Sequence, residues 1–322
     1  MLTPKENLLR AIHHDRPEWV PTAAEGLAWI GPPVVERCTA EGRDAFGVHW
    51  SYKERAEGGT FPTSGGHTIT DLSRWKEQIT IPDLDAMDWD SIATYADGID
   101  RDQHLLCGFI ELGLFERSYL LLGMSEALMG YVAEPELMCD LLEALADYKI
   151  RLIERLDDVA NLDMVWYGDD WGTQDRLFVR PEVWRQIIQP PTQRLYVALK
   201  RRNILINQHS CGKIEAIFED VVGMGADIWN PCQPCNDLAA LKRRYDGRIT
   251  FSGGIDSQFV LNRPGATPEE VRAEVRKRID EMAAGGGYIA APSHSVPSDP
   301  ALIDAMNDEI ASYGRHCYER PA

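Results

Sequence analysis

His209 and Cys211 stand one residue apart in "NQHSCGKI", residues 207–214, just ahead of Gly212. A neutral imidazole and a thiolate offered by one short loop are a ligand pair suited to Zn²⁺. The spacing leaves two other readings open. One is a cysteine nucleophile with His209 as its base, although no third, orienting group is evident. The other is a buried polar turn held by Gly212. Further along, "NPCQPC" adds Cys232 and Cys235. A four-cysteine zinc site needs a second Cys-x-x-Cys, and the chain has none. Pro231 and Pro234 on either side of Cys232 also disfavour a redox pair. Cys232 is therefore a candidate third metal ligand, with His294 as the alternative, and Cys235 is read as structural.

Acidic groups collect in the same way. "YGDDWGTQ", residues 167–174, joins Asp169 and Asp170 to an indole and an amide. Paired acids can serve as general acid, metal ligand or hydrogen-bond anchor. With Glu111 they are the catalytic candidates. Trp166, Tyr167 and Trp171 beside them would suit a flat aromatic ligand. Glu25, Asn230, Asp256 and Ser293 complete the substrate-binding candidates, and Glu116 with Arg117 is a candidate ion pair orienting the acidic loop.

These residues follow short apolar runs, and the runs alternate with helical patterns. "HLLCGFIE", "LDMVWYGDD", "NILINQHS", "ADIWNPCQ", "RITFSGGID" and "GYIAAPSHS" read as strands. Between them lie stretches of 3.6-residue periodicity, such as Leu137, Leu141, Leu142, Leu145, Leu152, Ile153 and Leu156. Helix starts are expected at Thr267 and at Ser298 or Asp299, and a helix break at Pro190 and Pro191. That gives six strand–helix units from residue 104 onward. "WVPTAAEG" supplies a seventh strand candidate, and residues 40–100 an expected eighth. Such alternation predicts a single (β/α)8 barrel domain over residues 1–322 with an N-terminal extension, its active site at the C-terminal strand ends. No GxGxxG lies between a strand and a helix, which weakens a doubly wound dinucleotide-binding alternative.

A net charge of −18 argues against nucleic-acid binding, which needs a basic surface. No run of about 18 apolar residues suggests a membrane span. "MLTPKENLLRAIHHDRPEWVP" is charged and amphipathic, unlike a signal peptide. The seven irregularly spaced cysteines read as reduced thiols, so a cytoplasmic location is expected. Self-association as a homodimer is left open.

The motifs "TDLSRWKEQITIPDLDAMDW", "GLFERSYLLLGMSEALM", "DDWGTQ", "HSCGKI", "GGIDSQ" and "GGYIAAPSHSVPSD" stand in the order and spacing of the uroporphyrinogen decarboxylase superfamily. The resemblance runs from about residue 3 to 315 and implies a barrel with its site at the mouth. True decarboxylases of the family grip an acidic tetrapyrrole with an arginine-rich "RQAGR" segment. This chain has no arginine between Arg16 and Arg37 there, which would leave substrate carboxylates unpaired. The other branch, cobalamin-linked methyltransferases, implies His209 and Cys211 as zinc ligands and a separate corrinoid protein as partner. Where its coenzyme M enzymes carry a further cysteine, this chain reads "AAPSHS", with Ser293 and His294. A harder metal shell suits an oxygen leaving group. The resemblance therefore implies a zinc-dependent methyltransferase acting on a small methylated donor, a methoxylated aromatic, with decarboxylation and methylation of a thiol or tetrahydrofolate as alternatives.

Overall fold

Alternating apolar runs and amphipathic helices bury their apolar faces by forming a parallel sheet covered by helices. A computed structural model, which describes residues 2–22, 24–53 and 59–319, has that architecture. Its strands are β1 (Leu27–Ile30), β2 (Gly42–Arg43), β3 (His49–Tyr52), β4 (Thr60–Pro62), β5 (Leu105–Ile110), β6 (Met164–Gly168), β7 (Leu205–His209), β8 (Ile228–Asn230), β9 (Thr250–Ile255) and β10 (Tyr288–Pro292). Seven of them form one curled parallel sheet in the order β1-β5-β6-β7-β8-β9-β10. All six strand–helix units expected from residue 104 onward are present.

The N-terminal third departs from expectation. The strand anticipated in "WVPTAAEG" begins later, at Leu27; of the earlier stretch only Thr22 makes a bridge, parallel to Ala290 of β10. Ala23 of that stretch lies outside the described residues. Residues 40–100 hold no parallel strand among those described, but an antiparallel sheet of β2, β3 and β4. The helix break expected near Pro190 is absent too. A π-helical turn at Trp184–Ile188 leads straight into the helix Gln189–Arg201. Pro190 and Pro191, which have no N–H to donate, closely follow that π-helical turn, the local departure from regular α-helix that accompanies them.

The floor of the sheet's concave side is closed by the helix Pro4–Ile12, started by a reciprocal Thr3–Glu6 cap. Its Leu8 and Ile12 pack on Leu105, Cys107, Met164, Ile228 and Ile289 from the inner faces of the strands. Of the predicted stripe, the helix Pro135–Ala160 buries Leu141, Leu142, Leu145, Leu152, Ile153 and Leu156, while Leu137 is half-buried. The expected cap at Thr267 is present, and Asp299 is the cap of the helix Pro300–Tyr313.

A buried ion cluster ties the antiparallel insertion to the sheet's helices. Fully buried Arg117 donates to Asp44 Oδ2 at 2.7 Å and to the Glu36 carbonyl at 2.8 Å. Lys149 and Tyr148 donate to the Glu36 carboxylate, and Lys149 reaches the Glu111 carbonyl at 2.9 Å. Arg117 thus pairs with Glu36 and Asp44 and not with Glu116, as the sequence suggested. Removing one member would strand the others without a partner in a site closed to water. Arg117→Met should lower unfolding free energy by about 3–5 kcal/mol. Arg185→Ala, which breaks the surface pair with Asp220, should cost about 0–1 kcal/mol. Urea denaturation of both variants measures the difference.

Candidate metal centre at the sheet's C-terminal edge

Parallel register aligns the ends of three adjacent strands. Gly168 of β6 is opposite His209 of β7, which is opposite Asn230 of β8. Beyond them the β6 and β7 loops run together: Asp169 N–H donates to the His209 carbonyl at 3.0 Å and Gly172 N–H to the Cys211 carbonyl at 3.2 Å. The loops meet backbone to backbone at Gly172 and Gly212. A Cβ on Gly212, whose φ is +79°, would fall 2.2 Å from the Gly172 carbonyl carbon. This explains the glycine that follows Cys211.

The result is a cluster of three ligand-type side chains. Donor atoms of Asp170, His209 and Cys211 lie within 4.8 Å of one another, all half-buried. His209 Nε2 is 3.4 Å from Cys211 Sγ and 3.5 Å from Asp170 Oδ1. Zinc bonds of ~2.0 Å to N or O and ~2.3 Å to S at tetrahedral angles set donor separations of roughly 3.3–3.6 Å. The donor set therefore fits zinc. Its orientation is built in as well: His209 Nδ1–H donates to Asn230 Oδ1 at 2.6 Å, which leaves the Nε2 lone pair facing the other donors. Asn230 Oδ1 also accepts from Trp166 Nε1 at 3.3 Å, and Asp170 Oδ1 accepts the Cys211 N–H at 2.7 Å. Burial, and then the neighbouring Asp170 carboxylate, push the Cys211 thiol well above its ordinary range. A cation between them would reverse both effects.

The structure sorts the remaining candidates. Asp170, read as catalytic, falls among the ligands. Buried Asp169 accepts the N–H groups of Phe115 and Glu116 at 3.1 and 2.9 Å and Trp171 Nε1 at 2.9 Å. It anchors the start of the helix Leu114–Leu122 beneath the acidic loop; burial pushes its carboxyl up to about 6 against those hydrogen bonds. Glu111 is engaged by Arg37 at 2.7 Å. Glu25 comes before β1, at the opposite edge of the sheet, where it accepts Trp19 Nε1 at 3.0 Å. Tyr167 and Trp171 are buried, Tyr167 accepting the Leu114 N–H and Trp171 packing on Trp184. Cys232 is buried, its thiol directed at the Trp229 carbonyl, and is outside the ligand cluster. His294 is outside it too; it lines a neighbouring cleft of about 430 Å³ with Asp256, Ser293 and Cys235. There Asp256 caps the turn at Ser257–Leu261 and Ser293 Oγ accepts the Ser257 N–H.

Other residues take roles that the sequence did not suggest. Glu116, taken for an ion-pair partner, instead accepts from Tyr119. Burial, followed by Asp170 and Asp169, raises its carboxyl well above the usual range. Trp29, Phe109 and Asn207 face the concave side of the sheet with Trp166. The two-residue period of a strand could have found Asn207, since it shares a face with His209.

Zinc binding should displace the Cys211 proton, because that thiol is protonated at neutral pH. Zinc affinity should then rise about tenfold per pH unit across the neutral range. Asn230→Leu should weaken zinc binding about 10–100-fold by freeing His209 to rotate. Competition with a chromophoric chelator at several pH values, for wild type, Asn230→Leu and Cys211→Ser, reads both effects.

Residues 44–313 match the family model described as uroporphyrinogen decarboxylase (URO-D). Over 173 residues the chain is 27% identical to methylcobamide:CoM methyltransferase MtaA of Methanosarcina barkeri, covering 52% of this chain and 47% of that one. Over 195 residues it is 26% identical to uroporphyrinogen decarboxylase of Methylococcus capsulatus, covering 56% and 50%. The matches thus span about half the length of these curated relatives. A solved methyltransferase from Methanosarcina mazei superposes with a TM-score of 0.73 at 18% identity, over 97% of this chain and 99% of that one, and so shares the fold. No helix among the described residues is long and apolar enough to cross a membrane. With a matched segment covering most of its length, the chain belongs to the uroporphyrinogen decarboxylase family.

Proposed function

We propose that this protein is a zinc-dependent methyltransferase that moves a methyl group from a small methyl ether, a methoxylated aromatic, to Co(I) of a separate corrinoid protein. The convergence of Asp170, His209 and Cys211 at donor separations suited to zinc carries the reading. Zinc held there supplies Lewis acidity toward the ether oxygen, and the partner's corrinoid supplies the nucleophile that accepts the methyl group. The chain's own residues orient and protect this chemistry. Asn230 holds the His209 ring in one tautomer, and Asp169 pins the loop that presents Asp170. Glu116, whose carboxyl is raised by burial and by the adjacent Asp170 and Asp169, is the candidate proton source for the departing phenolate oxygen.

The nature of the third donor favours an oxygen leaving group. A carboxylate oxygen in place of a second thiolate leaves the metal a harder acid. Methylation of a thiol is the second reading, supported by the relative named as a CoM methyltransferase. Porphyrinogen decarboxylation fits less well, because Asp170 and, in the neighbouring cleft, Asp256 would face an acidic substrate, and the chain has no arginine between Arg16 and Arg37 to pair with its carboxylates.

The test is methyl transfer to a cob(I)alamin acceptor from a panel of methoxylated aromatics, methylamines and methyl thioethers. Zinc-loaded protein should demethylate an ether. Removal of zinc with a chelator, or Cys211→Ser, should abolish transfer, and Glu116→Gln should slow it about 100-fold or more. Equal activity without zinc would overturn the metal assignment; transfer only to or from a thiol would establish the second reading.

A further inference from the structure

Below the metal ligands, on the concave side of the sheet, lies a cavity of about 130 Å³. Trp29, Trp166, Asn207, Asn230, Ser252 and Leu8 are among its walls, and no charged side chain lines it among the described residues. Asn207 is 6% exposed, and its Oδ1 has no hydrogen-bond partner. A buried acceptor left unpaired costs about 1–3 kcal/mol, so a residue kept in this state points to a ligand that supplies the missing donor. Asn230 joins the cavity to the centre above it, since it lines the one and holds His209 in the other.

The walls select among ligand chemistries. An empty volume of ~150 Å³ in an apolar protein core accepts one benzene ring, so a cavity of about 130 Å³ takes at most one ring, seated with part of it reaching toward the centre above. A carboxylate or sulfonate on the buried part would have no cation to meet it. A methylated ammonium needs the open face of an aromatic ring. Trp166 has none to spare, since Phe109 stacks on it at 4.6 Å and 15° and His209 packs at 4.5 Å, and the open surface of Trp29 has no carboxylate beside it in the cavity to offset a positive charge. Trp29 and Phe109, 40% and 38% exposed and edge-to-face at 6.1 Å, leave an apolar aromatic approach along the β1 and β5 side.

We propose that this cavity seats the non-reacting end of the methyl donor, an uncharged single-ring phenol whose hydroxyl donates to Asn207 Oδ1. The proposal rests on the methyl-donor reading above and narrows it. Asn207 and His209 share a strand face two residues apart, a rise of about 6.6 Å. A hydroxyl on Asn207 and an ether oxygen on the His209 side would then lie at opposite ends of the ring, a para arrangement.

Calorimetric titration of zinc-loaded protein with 4-methoxyphenol, 1,4-dimethoxybenzene, 4-methoxybenzoate and tetramethylammonium tests this without turnover. The phenol should bind about tenfold more tightly than the dimethyl ether, the equivalent of one hydrogen bond. The benzoate and the ammonium should bind more weakly than either. Asn207→Leu should erase the advantage of the phenol while circular dichroism shows the fold retained. Wild-type protein that binds dimethoxybenzene as tightly as the phenol, or prefers either charged probe, overturns the assignment whatever the variant does. Asn207-dependent phenol binding without methyl transfer to Co(I) from any ether would uphold the cavity and sink the donor reading. Transfer from an ether that 4-methoxyphenol does not displace would do the reverse.

Discussion

Everything at the candidate centre hangs on the hydrogen bond between His209 Nδ1 and Asn230 Oδ1, 2.6 Å long. It exists because parallel pairing sets β7 and β8 in a register that places these residues opposite each other. Shift that register by one residue and the imidazole would turn to the opposite face of the sheet. The same bond chooses the nitrogen that faces Asp170 and Cys211. It also makes Asn230 a shared wall between the ligand cluster and the cavity beneath. The ligand set and the cavity are thus not independent features that happen to adjoin.

A second layer of support comes from charge buried far from water. Asp169 spends its carboxylate on two backbone N–H groups and an indole, so the acid beside it, Asp170, is presented by a loop with little freedom. Arg117, Asp44, Glu36 and Lys149 perform a similar task for the antiparallel insertion, which they join to the helices after β5. Buried ion pairs contribute little net stability, but they penalise any arrangement that separates them. Here they specify how the insertion seats against the sheet. Acidic residues in this protein therefore divide into those that hold loops in place and those left to meet a ligand.

The strands from β5 to β10 were legible because each is an apolar run bounded by polar or glycine-containing turns, and the period of the intervening helices is plain. The antiparallel sheet of β2–β4 was not, since its strands are two to four residues long and carry little alternation. His209 and Cys211 were visible as a pair because two ligand-type residues share a loop of a few residues. Asp170 was seen only as one of two adjacent acids, and nothing local distinguishes it from Asp169. Their opposite fates follow from which element each one faces: a helix start for Asp169, the β7 loop for Asp170. Glu116 and Arg117 show the same limit. Adjacent in sequence, they point to different partners because successive helix positions are about 100° apart.

What the sequence determined by itself is therefore what short-range chemistry encodes: the strand–helix alternation, the helix starts at Thr267 and at Ser298 or Asp299, and a His-x-Cys loop followed by a glycine. Only the tertiary structure decided which carboxylate completes the cluster, which cysteine stays buried in the wall, and that Asn207 is left with an unanswered acceptor. Those outcomes depend on neighbours tens of residues away. They are set by strand register and by the cost of burying an unpaired polar group, and neither is written in any one segment of the chain.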